Sequence, residues 1–300
     1  MNSSCSLVLG TAQFGSNYGI ANADKTGRPD QITVNAIVQE AWENGIREFD
    51  TAQGYGQSEQ VLGEALSKLG GAAEILIISK FDPALDHLNR SVLSNAVGES
   101  LNRLGIPSLY GMMLHREEML SIWDNGLSKI LHTLVMSGKI KHIGISVYSP
   151  DRAIQALNTE GIDMVQLPSN ILDRRFETAG VFRLAEEKRK EIYIRSVFLQ
   201  GLILMDADKI PEKMSFAKPV IEELETISNE LKLSRQELAL GYVKSEMPNA
   251  KVVIGADTPL HVKESVVCWE GEISQPSVDN VKKIFNCVDE KVLNPTLWSN

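Results

Sequence analysis

Apolar residues alternate along the chain between short continuous runs and longer stretches with helical spacing. The continuous runs indicate strands that are covered on both faces, as in a parallel sheet. The stretches with apolar residues at positions i, i+3 and i+4 indicate helices with one buried face. The predicted strands are 7–11, 46–50, 74–80, 109–114, 140–145, 164–166, 192–197 and 251–254.

Helical stretches follow each of these runs, and their ends carry local signals. Glycines end several of them, and Ser234 with Glu237 forms a predicted capping box. Ser149 and Thr258 each precede a proline and are predicted N-caps. The predicted helices are 33–45, 61–69, 91–104, 127–135, one that begins at Pro150, 179–190, 219–231, 238–244 and one that begins at Pro259.

Eight strand–helix units in 300 residues are typical of one closed parallel barrel. We therefore predict a single (β/α)8, or TIM, barrel domain over residues 1–300. A doubly wound open sheet is the alternative. The glycine pattern of a dinucleotide-binding Rossmann fold does not follow the first strand, so that type of nucleotide site has no support.

Composition and charge narrow the class of protein. The chain is 43% hydrophobic and 23% charged, as in an ordinary globular protein. Its net charge of -9 argues against nucleic acid as a partner, because nucleic-acid binding needs a basic surface. Cys5, Cys268 and Cys287 lack metal-binding spacing and favour a reducing compartment. With neither a signal-like start nor an apolar run of membrane-spanning length, the sequence predicts a cytoplasmic protein.

Ionisable residues follow three consecutive predicted strands. Asp50 ends the second strand and Tyr55 lies just beyond it between two glycines, while Lys80 ends the third strand and His115 follows the fourth. In a closed barrel these strand ends share one rim, where active sites lie. Each residue could also have an ordinary role as a cap or as a solvated loop residue. Their alignment on one rim favours an active site.

These four residue types favour proton transfer to a carbonyl oxygen. A free tyrosine has a pKa near ~10 and is a poor acid at neutral pH. We expect the ammonium of Lys80 to lower the pKa of Tyr55, and the carboxylate of Asp50 to hold that lysine charged. His115 would hydrogen-bond or polarise the carbonyl. A metal site is the less favoured use, because the rim offers one His and one Asp without a third suitable ligand.

At these residues the sequence resembles the aldo-keto reductases, a family of eight-stranded barrels with an Asp, Tyr, Lys, His tetrad and a nicotinamide cofactor. The resemblance extends over nearly the whole chain. It is carried by Leu9-Gly10-Thr11, Phe49-Asp50-Thr51-Ala52, Gly54-Tyr55-Gly56, Ile78-Ser79-Lys80, Leu114-His115, Gly138-Lys139-Ile140, Ile143-Gly144-Ile145-Ser146, Asp163-Met164-Val165-Gln166 and Ile254-Gly255-Ala256-Asp257-Thr258-Pro259.

The resemblance implies that Tyr55 is the proton donor, tuned by Lys80 and Asp50, and that His115 orients the substrate carbonyl. It also implies a cofactor site. Ser146 and Gln166 would hold the nicotinamide carboxamide. The pyrophosphate would be bound by Ser196, Gly201 and the loop after the eighth strand. Glu264 and Ser265 would contact the adenine. The full set of implied cofactor residues is Gly10, Thr11, Asp50, Ser146, Gln166, Arg195, Ser196, Gly201, Gly255, Ala256, Thr258, His261, Glu264 and Ser265.

The sequence departs from the family pattern at several of these positions. Val147 stands where an Asn usually follows the serine, and Arg195 stands where an aromatic usually stacks on the nicotinamide ring. A planar guanidinium can also stack. Gly255 and His261 replace the Lys and Arg that many members use for the 2'-phosphate, so we expect NADP(H) with weak discrimination against NAD(H).

These observations lead to a hypothesis of function, namely an NAD(P)H-dependent reductase of an aldehyde or ketone. The opening segments 10–15 and 18–20 resemble bacterial members associated with surface-polysaccharide genes, which suggests a sugar derivative as the substrate. Two alternatives remain open at this point, a non-catalytic regulatory subunit on the same barrel and a non-redox isomerase or lyase. Loops 12–30 and 198–217 and the tail are expected to determine specificity.

Overall fold

The computed structural model describes residues 6–20, 28–69 and 74–298. Eight parallel strands form one closed barrel in sequence order, which confirms the predicted fold. The first strand pairs with the last, with Leu9 opposite Ile254 and Gly10 opposite Gly255. The strands are β1 (Leu7–Gly10), β2 (Glu48–Asp50), β3 (Leu76–Lys80), β4 (Leu109–Leu114), β5 (Ile140–Ser146), β6 (Met164–Pro168), β7 (Glu191–Arg195) and β8 (Lys251–Gly255).

Helices connect successive strands and cover the outside of the barrel. Their ends use the predicted signals: the Ser234–Glu237 capping box forms, Thr258 Oγ1 accepts from the His261 amide, and Gly105 ends its helix at a φ of 67°. The longer described helices are Gln31–Glu43, Ser58–Leu66, Arg90–Leu104, Ser128–Met136, Pro150–Asn158, Val181–Lys188, Lys218–Leu231, Arg235–Glu246, Pro259–Glu270 and Gln275–Ile284.

Three local predictions differ in detail from the structure. The helix predicted over 179–190 is shorter, Val181–Lys188, because Gly180 before it and Arg189 after it have φ values of 73° and 56°. Strand β7 ends at Arg195 instead of Val197, since Ser196 has a φ of 60° that no strand accommodates. Ser149 occupies an N-cap position, but its side chain makes no capping hydrogen bond.

The barrel is filled by side chains, so it is a packed core and not a pore. Val8, Ile78, Met113, Met164 and Tyr193 form a buried cluster at its centre. The hydroxyl of Tyr193 reaches Glu48 Oε2 at 3.0 Å and Glu191 Oε2 at 3.1 Å, and Lys251 Nζ lies 3.0 Å from the same hydroxyl. These groups lie towards the amino ends of the strands and satisfy one another there. The predicted catalytic residues lie at the opposite rim, where the strands end.

Within the described ranges, none of the helices has both the length and the apolar character that crossing a bilayer requires.

Candidate active site

A buried ion pair lies at the carboxyl ends of β2 and β3. Lys80 Nζ lies 2.6 and 2.7 Å from the two carboxylate oxygens of Asp50 and 3.1 Å from the carbonyl oxygen of Thr51. Burial alone would lower the pKa of Lys80, but the neighbouring Asp50 outweighs it and the pKa is raised. The ammonium is therefore held charged, as predicted.

Tyr55 is aimed at this pair by a tight loop. Its amide donates to the Ala52 carbonyl and its own carbonyl accepts from the Ser58 amide, each at 3.1 Å. A Cβ at Gly15 would lie 1.5 Å from the Tyr55 carbonyl oxygen, so this close approach requires glycine. Lys80 Nζ lies 5.2 Å from the centre of the Tyr55 ring. The four predicted catalytic residues include this tyrosine and the Lys80–Asp50 pair, which the fold brings together.

The acidity of Tyr55 differs from the prediction. Its pKa is raised above the ordinary value of a phenol, chiefly because burial disfavours the phenolate. Lys80 lowers the pKa, as expected, but Asp50 works against it because its carboxylate is next to the same ammonium. Tyr55 therefore keeps its proton at neutral pH in this arrangement, which suits a proton donor.

His115 completes the group from the end of β4. Its ring meets the Tyr55 ring edge to face, with 5.7 Å between centroids and 79° between planes. Burial, followed by the charges of Lys80 and Arg195, lowers the pKa of His115 to about 4, so the ring is neutral at pH 7. Among the described residues, its buried Nδ1 has no hydrogen-bond partner. A buried nitrogen without a partner is available to a ligand.

Two adjoining cavities meet at Tyr55. The larger cavity has a volume of about 440 Å³ and extends from Tyr55 towards Gly255 and His261. The smaller cavity has a volume of about 240 Å³ and extends from Tyr55 towards His115 and the tail residues 293–296. Arg195 lines both cavities. Tyr55 therefore borders both cavities.

Most of the predicted cofactor residues line these cavities. The larger cavity is lined by Gly10, Thr11, Asp50, Gln166, Arg195, Ser196, Gly201, Gly255 and His261, and the smaller one by Ser146. The other four are not among the lining residues of either cavity. Ala256 is buried, Thr258 caps its helix, Glu264 is exposed, and the Ser265 hydroxyl donates to the His261 carbonyl at 2.8 Å.

The segment after β7 forms one wall of the larger cavity in an unusual backbone conformation. Ser196, Leu199 and Gln200 have φ values of 60°, 48° and 56°, and Gly201 has a φ of 94°. The buried side chain of Asn170 holds this segment by donating to the Ser196 carbonyl at 3.1 Å. Strained residues of this kind cluster at ligand sites. The observation motivates the hypothesis that the segment binds a ligand directly.

Sequence reasoning missed several wall residues. Gln13, Lys209 and Asp257 line the larger cavity, and Tyr18 and Gln200 line both. Gln13 packs against Gly255, where an added Cβ would lie 2.4 Å from its amide nitrogen. Tyr18 lies in one of the opening segments singled out above. Lys209 lies in a long irregular loop without a periodic pattern, so no local signal points to it.

The part of the chain with described structure holds no group of three or more His, Cys, Asp or Glu side chains that could bind a metal ion. The predicted loop 12–30 is described only in part, because residues 21–27 lie outside the described ranges.

Comparison with known proteins identifies relatives of this chain. It is 27% identical over 205 residues to aldo-keto reductase YhdN of Bacillus subtilis (strain 168), covering 63% of this chain and 58% of that protein. It is 28% identical over 204 residues to L-glyceraldehyde 3-phosphate reductase of Escherichia coli (strain K12), covering 62% and 57%. The matches thus span somewhat more than half the length of these two relatives.

Solved structures show the same fold. The glycerol dehydrogenase AKR11B4 from Gluconobacter oxydans superposes with a TM-score of 0.76 at 20% identity, covering 96% of this chain and 95% of that one. The sequence model of the Aldo/keto reductase family matches residues 6–286. With the predicted fold and nearly the whole chain matched, this protein belongs to the Aldo/keto reductase family.

Proposed function

We propose that this protein is an NAD(P)H-dependent reductase that converts an aldehyde or ketone into an alcohol. The observation that carries the proposal is the buried Lys80–Asp50 pair beside a protonated Tyr55, with the neutral ring of His115 against it. The family and the reductases among the relatives support an oxidoreductase of this class.

In the proposed reaction, the substrate carbonyl lies in the smaller cavity against Tyr55 and His115. A bound nicotinamide cofactor would supply the hydride that adds to the carbonyl carbon. Tyr55 donates its proton to the carbonyl oxygen, and the tyrosinate left behind is stabilised by the ammonium of Lys80. His115, neutral at pH 7, offers a ring nitrogen to the same oxygen and positions it without adding charge.

The lining of the larger cavity supports a dinucleotide as its ligand. Ser196 and His261 offer hydrogen-bond donors along its walls, and the Gln13 side chain packs where a Cβ at Gly255 would lie. Gly255 provides no positive charge for a 2'-phosphate. We therefore propose that NADP(H) binds with weak discrimination against NAD(H), Gln166 and Ser146 facing the carboxamide.

The substrate is proposed to be a small carbonyl compound, with a sugar derivative as the first class to test. A cytoplasmic location remains the expectation from cysteine usage. The two alternative functions differ from a reductase in what happens to the cofactor and the substrate. A regulatory subunit would bind cofactor without turnover, and an isomerase or lyase would change its substrate without net oxidation of the cofactor.

The test is to mix purified protein with NADPH or NADH and a panel of aldehydes, ketones and open-chain sugars, following loss of the reduced nicotinamide and appearance of the alcohol. Equal amounts of alcohol and oxidised cofactor support the proposal. Tight cofactor binding without turnover of any carbonyl would favour the regulatory alternative. Product formation without cofactor oxidation would favour the isomerase or lyase.

A further inference from the structure

The smaller cavity differs in charge from the protein as a whole. The chain carries 39 acidic against 30 basic side chains. The smaller cavity is lined by two guanidinium groups, Arg175 and Arg195, and its described lining includes no carboxylate. A cleft lined by one sign of charge concentrates ligands of the opposite sign. The contrast suggests a cavity that selects its ligand by charge.

The charge of Arg175 is already compensated. Its Nη2 and Nε lie 2.8 and 2.9 Å from the two carboxylate oxygens of Asp173, which is fully buried. Glu290 lies 3.9 Å from the same guanidinium. A bidentate pair with a buried carboxylate fixes the side chain and cancels its field. Arg175 thus contributes hydrogen-bonding edges to the cavity but little net charge.

Arg195 is in a different environment. Its guanidinium contacts the Ser196 hydroxyl and the Val147 carbonyl at 3.4 Å each, and it stacks on the Tyr148 ring at 4.3 Å. Across the described ranges, no Asp or Glu lies within ion-pair distance of it. These neighbours are neutral and the hydrogen bonds are long. Arg195 is therefore a half-buried cation for which the described residues provide no carboxylate partner.

Arg195 lies near the residues that would hold the reacting carbonyl. It lines the same cavity as Tyr55 and His115, and its charge helps to lower the pKa of His115. The carboxylate of Glu117 accepts from the amides of Tyr148 and Ser149 and lines neither cavity. An anion that pairs with Arg195 would therefore lie close to a carbonyl held by the tetrad.

We propose that Arg195 is the counter-ion for an anionic group, a carboxylate or a phosphate, carried by the carbonyl substrate. This inference rests on the proposed function and names the substrate class of the same site. A guanidinium matches the geometry of both anions through two parallel N–H donors. The cavity of about 240 Å³ suits a compact molecule whose anionic group lies a few bonds from its carbonyl.

The experiment compares substrates that differ in the anionic group. The pairs are succinic semialdehyde against butanal, and glyceraldehyde 3-phosphate against glyceraldehyde. Wild-type kcat/KM is expected to favour the anionic member of at least one pair by about tenfold to a hundredfold. Arg195→Gln should remove that preference and Arg195→Lys should keep part of it. Because kcat/KM is compared within each pair, any effect of Arg195 on cofactor binding cancels.

Arg183→Gln is the matched control. Arg183 is an exposed residue, with a side chain 82% accessible, and it pairs at 3.7 Å with Glu187 on an outer helix. The substitution removes the same charge and should leave the ratio unchanged. A preference for only the carboxylate or only the phosphate supports the proposal and identifies the anion. Equal kcat/KM within both wild-type pairs, or a ratio unchanged by Arg195→Gln, would overturn it.

A binding measurement separates this inference from the proposed function. Calorimetric titration of the protein with succinate and with succinamide needs no turnover. Tighter binding of succinate in the wild type, lost in Arg195→Gln, supports the anion site even if no carbonyl is reduced. If no carbonyl is reduced and the two compounds bind alike, both proposals fail.

Discussion

Gln166 donates a hydrogen bond from Nε2 to Oδ2 of Asp50 across 2.9 Å. The residue expected to hold the nicotinamide carboxamide therefore also braces the carboxylate that fixes Lys80. The contact joins β6 to β2 across the barrel mouth, between residues far apart in the sequence. It couples the side of the site expected to hold the cofactor to the ion pair beside Tyr55.

The first prediction concerns the stability of this ion pair. Lys80→Met should lower the free energy of unfolding by about 3–5 kcal/mol, because it leaves the buried carboxylate of Asp50 without its cation. The double variant Lys80→Met with Asp50→Asn should lose clearly less. Urea unfolding of the wild type and the variants measures this. Equal losses in the single and double variants would mean that the unpaired charge is not the cause.

Tyr55→Phe tests the proton donor. The substitution keeps the ring against His115 and removes only the hydroxyl. Carbonyl reduction should fall by about 10²–10⁴-fold, the usual contribution of general acid catalysis, while NADPH still binds. Steady-state kinetics and a cofactor titration on the same preparation give both values. Turnover at the wild-type rate would exclude Tyr55 as the acid.

The pH profile of reduction follows from the raised pKa of Tyr55. Tyr55 acts in its protonated form, so activity is lost only as the pH rises through that pKa. We expect reduction to stay level up to about pH 10, the ordinary value for tyrosine, and to fall above it. A primary isotope effect with deuterated cofactor must show that hydride transfer limits the rate. A decline centred near pH 8 would contradict the direction of the shift.

His115 should make stability depend on pH. Its pKa is lowered to about 4 in the folded state, against about 6.5 in the unfolded chain, so the unfolded chain binds more protons between these values. Stability therefore rises with pH from about 4 to 6.5, by about 3 kcal/mol from this residue. His115→Asn should flatten that part of the curve, and His132→Asn, at an exposed position of the helix Ser128–Met136, is the control. An unchanged slope in His115→Asn would show that the ring is not buried as a neutral group.

The last prediction concerns the choice of cofactor. His261 lines the larger cavity, and its Nδ1 accepts from the Asp257 amide at 3.3 Å. His261→Arg should increase the preference for NADPH over NADH by about tenfold, because a guanidinium binds a 2'-phosphate bidentately. His261→Ala should change the ratio by less than that. Dissociation constants for both cofactors check this, and no effect of His261→Arg would place the 2'-phosphate elsewhere.

The sequence by itself predicted the barrel and the order of the tetrad. Each strand is covered on both faces and each helix on one, so apolar periodicity reports both kinds of element locally. Asp50 and Lys80 end their strands in the sequence, and the closed barrel then places strand ends on one rim. Capping residues such as Ser234 were predictable for the same reason, because they act within a single turn.

Only the tertiary structure decided how these groups affect one another. The pKa of Tyr55 depends on whether burial or the charge of Lys80 dominates, and neither burial nor distance can be read from spacing. Among the described residues no carboxylate lies within ion-pair distance of Arg195, and Ser265 hydrogen-bonds to its own helix and lines neither cavity. Periodicity depends on neighbours within a turn or a strand. Charge balance and desolvation depend on residues brought together by barrel closure.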